Sequence, residues 1–270
     1  MQKEQLPAAL DKAGLAHLAA DVENLVLPSI RLKTRPTEES QLAVGATKIG
    51  GVPDLPTQVA WPESKGKPLS FVALVNLAQA SNYDQQKLLP PSGTLHFFYD
   101  ADQQTFGADP ADRGGWKVVY TTANTPLTRR SAPDNLKARF RACAVDFSTE
   151  ITLPQDVSLY DVKWSKPDLD RYYDFVAKFP IDRGQPHHRM LGHPDQIQDD
   201  MHAQAERVSR GMNTNPTNQA ALEWLLLMQI DTDENIGMRW ANTGMLYYWI
   251  ERQALQSQNF ENVWVVLQSE

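Results

Sequence analysis

Gly51-Val52-Pro53-Asp54 and Gly192-His193-Pro194-Asp195 are two copies of one turn pattern, and a similar series of strand-like runs follows each copy. The first series is SFVALVNL at 70–77, SGTLHFFYD at 92–100 and WKVVYT at 116–121. The second series is WLLLMQID at 224–231, TGMLYYWIE at 243–251 and VWVVLQ at 263–268. Four elements in the same order predict an internal duplication. The alternative is coincidence, because antiparallel α+β proteins contain strand triplets that look alike.

The duplication predicts two similar subdomains fused into one two-lobed unit. An N-terminal helix and a lead-in strand occupy 1–44, the first subdomain 45–150, a linker region 151–186 and the second subdomain 187–270. The register of the first pair of runs stays open by two residues, so that Asn76 corresponds to Asp231 or to Gln229. The crevice between the halves is the expected place for a ligand or a partner.

The local sequence patterns predict an α+β fold with a mostly antiparallel sheet. Aromatic and β-branched runs between turn-forming residues predict strands at 30–32, 70–77, 94–99, 116–121, 142–147, 225–230, 245–250 and 263–267. Apolar residues at three- and four-residue steps predict an N-terminal helix that Pro28 ends, a helix over about 196–209 and a short helix near 131–141.

The charge balance of the chain favours a basic protein partner. The 270 residues carry 33 acids against 26 lysines and arginines, a formal net charge of −7. Such a chain lacks the basic footprint of a nucleic-acid binder and attracts basic surfaces instead. No run reaches the ~20 apolar residues of a membrane span. The single cysteine, Cys143, suits a reducing compartment and a buried position, so we expect a cytoplasmic protein.

Polar and aromatic residues near the two turn patterns are the candidate ligand or partner site. The set comprises Lys48, Asp54, Trp61, His193, Asp195, Asp231 and Asp233. The preferred interpretation of the segment at 48–56 is a buried connector between the subdomains. In the alternative, a ligand site, the adjacent glycines at 50–51 allow close approach of a ligand, and Lys48 with Asp54 forms an exposed charge pair beside Trp61. The basic residues within 129–141 are expected to form a solvated face, although they could bind an anion.

Two candidate metal sites compete with simpler structural roles. His187, His188, His193 and His202 lie close together in the sequence with three aspartates, which is a zinc-like composition without the usual ligand spacing. The loop DTDENIG at 231–237 has oxygens at alternate positions, as calcium loops do, but its glycine and glutamate positions do not match. A polar loop with a helix face and an Asx-capped turn are the preferred interpretations, so no metal or cofactor is predicted.

Several longer stretches resemble the YwqG-like family of bacterial proteins of unknown function over about 45–268. They include KIGGVPDLP, KPLSFVALVNL, HRMLGHPDQIQDDM and LLLMQIDTDENIGMRWANTGMLYYWI. The resemblance implies an α+β fold of two similar subdomains and brings no catalytic residues. Genes of the family often lie beside toxin modules, which implies that some members are immunity proteins. Leu74-Val75 departs from the Gln-Ile pair more common in the family.

These observations predict a non-catalytic binding protein that neutralises a cognate, basic toxin domain by occluding it. The familiar hydrolase and phosphate-loop motifs are missing from the sequence. The alternative is an enzyme or small-ligand protein that uses the crevice between the halves, which requires at least two of the candidate side chains to converge in a pocket.

Overall fold

Aromatic and β-branched runs form the strands of this protein, as their β-propensity predicts. The computed structural model describes residues 1–178 and 184–270. All eight predicted strands are confirmed, with ends that coincide with the predicted ones or differ from them by up to five residues. The strands are β1 Leu27–Pro36, β2 Lys48–Ile49, β3 Asp54–Leu55, β4 Glu63–Ser64, β5 Lys67–Pro68, β6 Ser70–Asn76, β7 Thr94–Tyr99, β8 Trp116–Thr121, β9 Thr128–Arg129, β10 Cys143–Thr152, β11 His188–Met190, β12 Trp224–Asp231, β13 Gly244–Glu251 and β14 Trp264–Ser269.

The helices are short and depart from the prediction more than the strands do. They are α1 Leu6–Lys12, α2 Ala19–Leu25, α3 Leu77–Ala80, α4 Lys166–Val176, α5 Met201–Ser209, α6 Asn218–Leu222 and α7 Arg252–Gln256. The N-terminal helix is split because Gly14 adopts a left-handed conformation (φ +71°) and ends α1. α5 begins later than expected, since the carboxylate of Asp200 caps it at the N–H of Ala203.

The helix expected near 131–141 is wrong. This segment contains no helix, and its backbone forms an isolated turn in which Leu136 N–H donates to the carbonyl of Pro133. A helix lies instead in the segment interpreted as a linker, 151–186, where Ser165 caps α4. Residues 179–183 of that segment lie outside the described ranges.

Ten strands form one sheet in the order β14-β13-β12-β11-β1-β10-β2-β6-β7-β8. Every neighbouring pair in it is antiparallel. The long strands β1 and β10 pair over ten residues at the centre. On each side of them lies first a short strand, β11 or β2, and then three longer strands, β12 to β14 or β6 to β8. The order of strands is therefore the same when read outward from the centre in both directions.

The sheet curls until its two outer strands meet, which makes it nearly barrel-shaped. The rings of Trp116 on β8 and Trp264 on β14 pack edge to face with centroids 4.8 Å apart, and Trp116 Nε1 donates to the carbonyl of Val263. Between them, Phe97 of β7 packs against Tyr248 of β13 at 5.0 Å. The main core draws on both groups of strands and also includes apolar residues of α5 such as Met201 and Ala205.

Two smaller apolar clusters cover the outside of the sheet. One joins α1, α2 and α4 to the end of β10 through residues such as Leu10, Val22 and Tyr172. The other packs Leu55 and Leu69 on the outer face of β6 and β7. Within the described ranges, no helix is long and apolar enough to cross a membrane.

Candidate functional site

Lys48 and Asp54 form part of a buried ion-pair cluster at the first turn pattern. Both side chains are fully buried, with Lys48 Nζ 3.2 Å from Asp54 Oδ2 and 2.7 Å from Glu39 Oε1. Arg129 completes the cluster, since its Nε lies 2.9 Å from Asp54 Oδ1 and its Nη atoms donate to the carbonyls of Glu39 and Leu42. The exposed charge pair of the ligand-site interpretation is therefore wrong, because both side chains are buried. Two cations and two carboxylates neutralise one another here, as buried charges require.

The electrostatics of this first cluster keep Asp54 ionised. Burial by itself would raise the pKa of Asp54, but the hydrogen bonds from Arg129 and the Gly45 N–H and the charge of Lys48 hold it below its ordinary value. The same contact with Asp54 raises the pKa of Arg129. The prediction that the basic residues of 129–141 form a solvated face is wrong for Arg129, because its guanidinium binds Asp54 and two backbone carbonyls of the first cluster.

A second buried cluster surrounds Asp195 in the other turn pattern. Asp195 Oδ2 lies 2.8 Å from Arg189 Nη2, 3.2 Å from His187 Nδ1 and 3.0 Å from Gln229 Nε2. Gln229 also accepts the backbone N–H of Asp195 at 2.8 Å, and Glu150 lies 3.3 Å from Arg189 Nε. Burial opposes ionisation, but Arg189, His187 and Gln229 together lower the pKa of Asp195 to about 2.

The two clusters occupy corresponding positions of the sheet. Lys48 lies opposite Leu74 on β6, and Arg189 lies opposite Gln229 on β12. Each cation precedes the aspartate of its turn pattern by six residues. In each cluster, the strand beyond β6 or β12 contributes a side chain that donates to the backbone carbonyl of the aspartate. From β7, His96 Nε2 donates to the carbonyl of Asp54 at 2.7 Å. From β13, the hydroxyl of Tyr247 donates to the carbonyl of Asp195 at 2.5 Å.

The backbone of the two turn patterns is also alike. Gly50 and Gly51 both have positive φ (70° and 75°), and so do Leu191 and Gly192 (59° and 74°). Leu191 is buried, so a leucine holds a conformation that glycine adopts without strain. Tight, left-handed turns at both places bring the aspartate back to the cation.

The sheet register resolves how the first pair of runs corresponds. Asn76 pairs with Thr94, the residue after Gly93. In the same way, Asp231 pairs with Met245, the residue after Gly244. Asn76 therefore corresponds to Asp231. Leu74 then occupies the sheet position equivalent to that of Gln229. Because leucine has no amide, the Asp54 carboxylate accepts hydrogen bonds from the Gly45 N–H and from Arg129 instead.

His193 joins the second turn pattern to the N-terminal helices. Its Nε2 donates to the carbonyl of Leu25 at 2.7 Å, and its Nδ1 lies 3.5 Å from the hydroxyl of Tyr160. Burial lowers the pKa of His193 to about 3. The ring is therefore neutral at physiological pH and acts as a hydrogen-bonding bridge between layers.

The acidic loop after β12 forms a turn. Asp233 is fully buried, accepts the Asn235 N–H at 3.0 Å and the Thr34 hydroxyl at 3.1 Å, and Gly237 closes the turn with a φ of +71°. Asp231 is half-buried and accepts the His187 N–H at 2.8 Å, while burial raises its pKa. The Asx-capped turn expected for this loop is confirmed.

The clustered histidines of the sequence have separate roles. His187 contacts Asp195, His188 Nδ1 accepts the Asp231 N–H, and His202 Nδ1 lies 2.8 Å from Asp200. Residues 1–178 and 184–270 contain no group of three acidic, histidine or cysteine side chains that could hold a metal ion. Cys143 is buried, which raises the pKa of its thiol to about 11 and makes it a poor nucleophile.

Of the seven predicted site residues, only Trp61 and Asp231 are half-buried, and the other five are buried. Lys48 and Asp54 converge, as do the residues around Asp195, but each group lies in its own network and not in a shared crevice. Trp61 donates Nε1 to the carbonyl of Leu69 and borders a cavity of about 550 Å³.

A family model described as a domain of unknown function, DUF1963, matches residues 47–269 of this chain. The chain belongs to the DUF1963 family. The match spans both turn patterns and every residue of the two buried clusters except Glu39, and it leaves α1, α2 and β1 outside. A comparison with curated proteins found no match.

The DUF1963 region contains partners that sequence reasoning missed, namely Arg129, Arg189 and Gln229, while Glu39 lies just before it. The sequence does point to Arg189, because it precedes Asp195 by six residues, as Lys48 precedes Asp54. Arg129 had a weaker signal, as the first of two adjacent arginines in an acidic chain. Glu39 had none, since its contact depends on how the loop before β2 folds back.

Proposed function

We propose that this DUF1963 protein is a non-catalytic binding protein that neutralises a cognate bacterial toxin by covering its active site. The YwqG-like resemblance supports an immunity role, and the net charge of −7 suits a basic toxin domain. The buried clusters support the view that the charged residues of the turn patterns stabilise the scaffold. Exposed residues are then the ones that contact the toxin.

The observation that carries the proposal is an exposed acidic and aromatic face on α4. Tyr173 is 38% exposed and, among the described residues, is the one strongly exposed large hydrophobic side chain that lies on a helix. Asp170 lies three residues before Tyr173 and four residues before Asp174, so that the three side chains share one side of the helix. The side chain of Asp170 is 57% exposed, and among residues 1–178 and 184–270 its only ion-pair partner is the exposed Lys166.

This α4 face has the chemistry of a contact for a basic protein. Tyrosine supplies apolar area and a hydroxyl at low entropic cost, which explains its enrichment at interface hot spots. Carboxylates beside it steer a basic partner towards the face and speed association. α4 itself is anchored from behind, since Tyr172 is fully buried and donates to the carbonyl of Pro154 at 2.8 Å.

The test is rescue of growth in cells that express the toxin domain encoded beside this gene. The unmodified chain should restore growth, and the variant Asp170→Asn/Tyr173→Ser/Asp174→Asn should lose most of the rescue at equal expression. Glu63→Gln/Asp134→Asn is the control, because it removes two exposed carboxylates elsewhere. Failure of the unmodified chain to rescue contradicts the proposed function, and equal rescue by the α4 variant contradicts the assigned surface.

We also propose that the two groups of strands arose by duplication. The strand order read outward from β1 and β10, the cation six residues before each aspartate, and the paired left-handed residues of the turns all support this origin. Chance resemblance of strand triplets would explain the strand order alone, but not the matching contacts of His96 and Tyr247.

A further inference from the structure

A cavity of about 550 Å³ opens where the end of β1 meets the loop that leads into β10. Its wall includes residues of the first turn pattern and also Asn235 from the turn after β12, so both groups of strands contribute. The volume lies within the range of pockets that hold small molecules. None of the buried cluster residues except Glu39 reaches its wall.

Aromatic and aliphatic side chains form the inner wall of this cavity. Phe71, Phe140 and Leu136 are each less than 10% exposed, and Trp61 is half-buried. Packing from behind fixes the rings, since Trp61 and Phe71 both contact Phe98 edge to face at 5.8 and 5.5 Å. Fixed aromatic rings favour a flat, apolar ligand body that packs against them.

Two arginines without a carboxylate partner stand at the same wall. Arg139 and Arg141 line the cavity, and neither has an acidic group within 4.0 Å among the described residues. In the part of the chain that the structure describes, the guanidinium of Arg139 donates only from Nη2, to the carbonyls of Pro133 and Asp134, and that of Arg141 only from Nη2, to the carbonyl of Asn235. A guanidinium has five N–H donors, so several remain available in each.

The carboxylates at the wall do not cancel this charge. Glu39 is already neutralised by Lys48 at 2.7 Å and Arg129 at 3.2 Å. Glu38 also lines the cavity and is exposed, which leaves two guanidinium groups against one carboxylate. In a chain of net charge −7, this local excess of positive charge favours an anionic ligand.

We infer that this cavity binds a small aromatic carboxylate, with its ring against Trp61 and Phe71 and its carboxylate on Arg139 and Arg141. Guanidinium groups pair with carboxylates through two parallel hydrogen bonds, which gives such a ligand a defined orientation. The site uses none of the residues of the α4 face, so it stands apart from the proposed toxin contact.

The test is calorimetric titration of the full chain with 2-naphthoate and with the neutral 2-naphthalenemethanol. We expect saturable 1:1 binding of 2-naphthoate, and binding of the alcohol weaker by about tenfold or more. The variant Arg139→Gln/Arg141→Gln should weaken naphthoate to the level of the alcohol. The control Arg113→Gln/Arg207→Gln, which removes two exposed arginines away from this wall, should bind naphthoate as the unmodified chain does.

Three results would overturn the inference. These are the absence of saturable naphthoate binding, equal affinity for acid and alcohol, and unchanged affinity in Arg139→Gln/Arg141→Gln. A thermal melt of each variant confirms that it is folded. Since Arg139 and Arg141 are exposed, we expect these substitutions to leave stability within about 0.5 kcal/mol.

Discussion

At the scale of single residues, the turn patterns depend on glycines that no other residue replaces cheaply. Gly192 has a φ of +74°, and a Cβ built there would lie 2.7 Å from both Ser29 Cβ and Thr152 Oγ1. Gly192 leads directly into His193, whose N–H donates to Thr152 Oγ1 at 2.8 Å. A side chain at this position therefore meets β1 and β10 as well as an unfavourable backbone conformation.

Gly192→Ala should accordingly destabilise the protein by at least about 2 kcal/mol, the combined effect of left-handed strain and overpacking. Gly211→Ala is the matched control, since Gly211 also has a positive φ of 63° but a Cβ added there would have no atom within 4 Å. It should cost only about 1 kcal/mol. Urea denaturation measures both, and equal losses would show that the contact with the central strands is unimportant.

The first buried cluster makes a second prediction at this scale. Lys48→Met leaves Glu39 and Asp54 with Arg129 alone, and breaking a buried ion pair in this way should cost about 3 kcal/mol. Lys48→Met/Asp54→Asn removes one charge of each sign. In urea denaturation it should be less destabilised than the sum of the single variants by at least about 1 kcal/mol. Additive losses would show that the two side chains do not interact.

The buried His193 predicts how stability depends on pH. Its pKa is about 3 in the folded chain and about 6.5 when unfolded. Between these values the unfolded chain binds the extra proton, so stability is lost as the pH falls. From pH 7 to pH 5 the loss due to His193 should be about 2 kcal/mol. His96 and His188, whose pKa values burial also lowers, act in the same direction, and Asp231, whose pKa is raised, opposes them.

His193→Gln tests this contribution. The variant is expected to be less stable at pH 7, but the difference between its unfolding free energies at pH 7 and pH 5 should shrink by about 2 kcal/mol. Denaturation at the two pH values supplies the comparison. An undiminished difference would mean that His193 is not held neutral by burial.

At the scale of elements, strands were far easier to predict than helices. Runs such as Thr94–Tyr99 and Trp116–Thr121 have the predicted bounds at both ends, because their β-propensity and their tertiary environment agree. α4 was missed, since its burial depends on packing against α1 and α2, which are distant in sequence. The predicted helix at 131–141 does not form, although the segment contains helix-forming residues, and several residues of this segment line a cavity.

The site was less predictable than the strands for a similar reason. The turn glycines and the aspartates Asp54 and Asp195 stood out in the repeat, but their burial and their partners did not. An ion pair such as Arg129 with Asp54 joins residues 75 positions apart. Only the path of the chain through the sheet brings them together.

The central strands should be the most stable elements. β1 and β10 pair with each other over ten residues in the middle of the sheet, whereas β4 and β5 form an isolated pair of two-residue strands. Hydrogen exchange followed by mass spectrometry should find the slowest amides in β1 and β10 and fast exchange at 63–68. Early exchange of β1 and β10 would indicate that the two groups of strands open independently of each other.

At the scale of the whole molecule, the protein separates internal from external charge. Its first buried cluster balances two cations against two carboxylates, and in the second Arg189 pairs with both Asp195 and Glu150. At the surface of this chain of net charge −7, α4 combines two carboxylates with an exposed tyrosine. The nearly barrel-shaped sheet provides a rigid support for such a face.

The most direct test of the proposed function uses the product of a toxin-like gene adjacent to the gene of this protein. The association rate of the two purified proteins is measured by surface plasmon resonance at several salt concentrations. The account predicts an association rate that falls steeply as salt rises and that Asp170→Asn/Asp174→Asn lowers by about tenfold at low salt. The absence of a complex, or a rate that responds neither to salt nor to these substitutions, would contradict it.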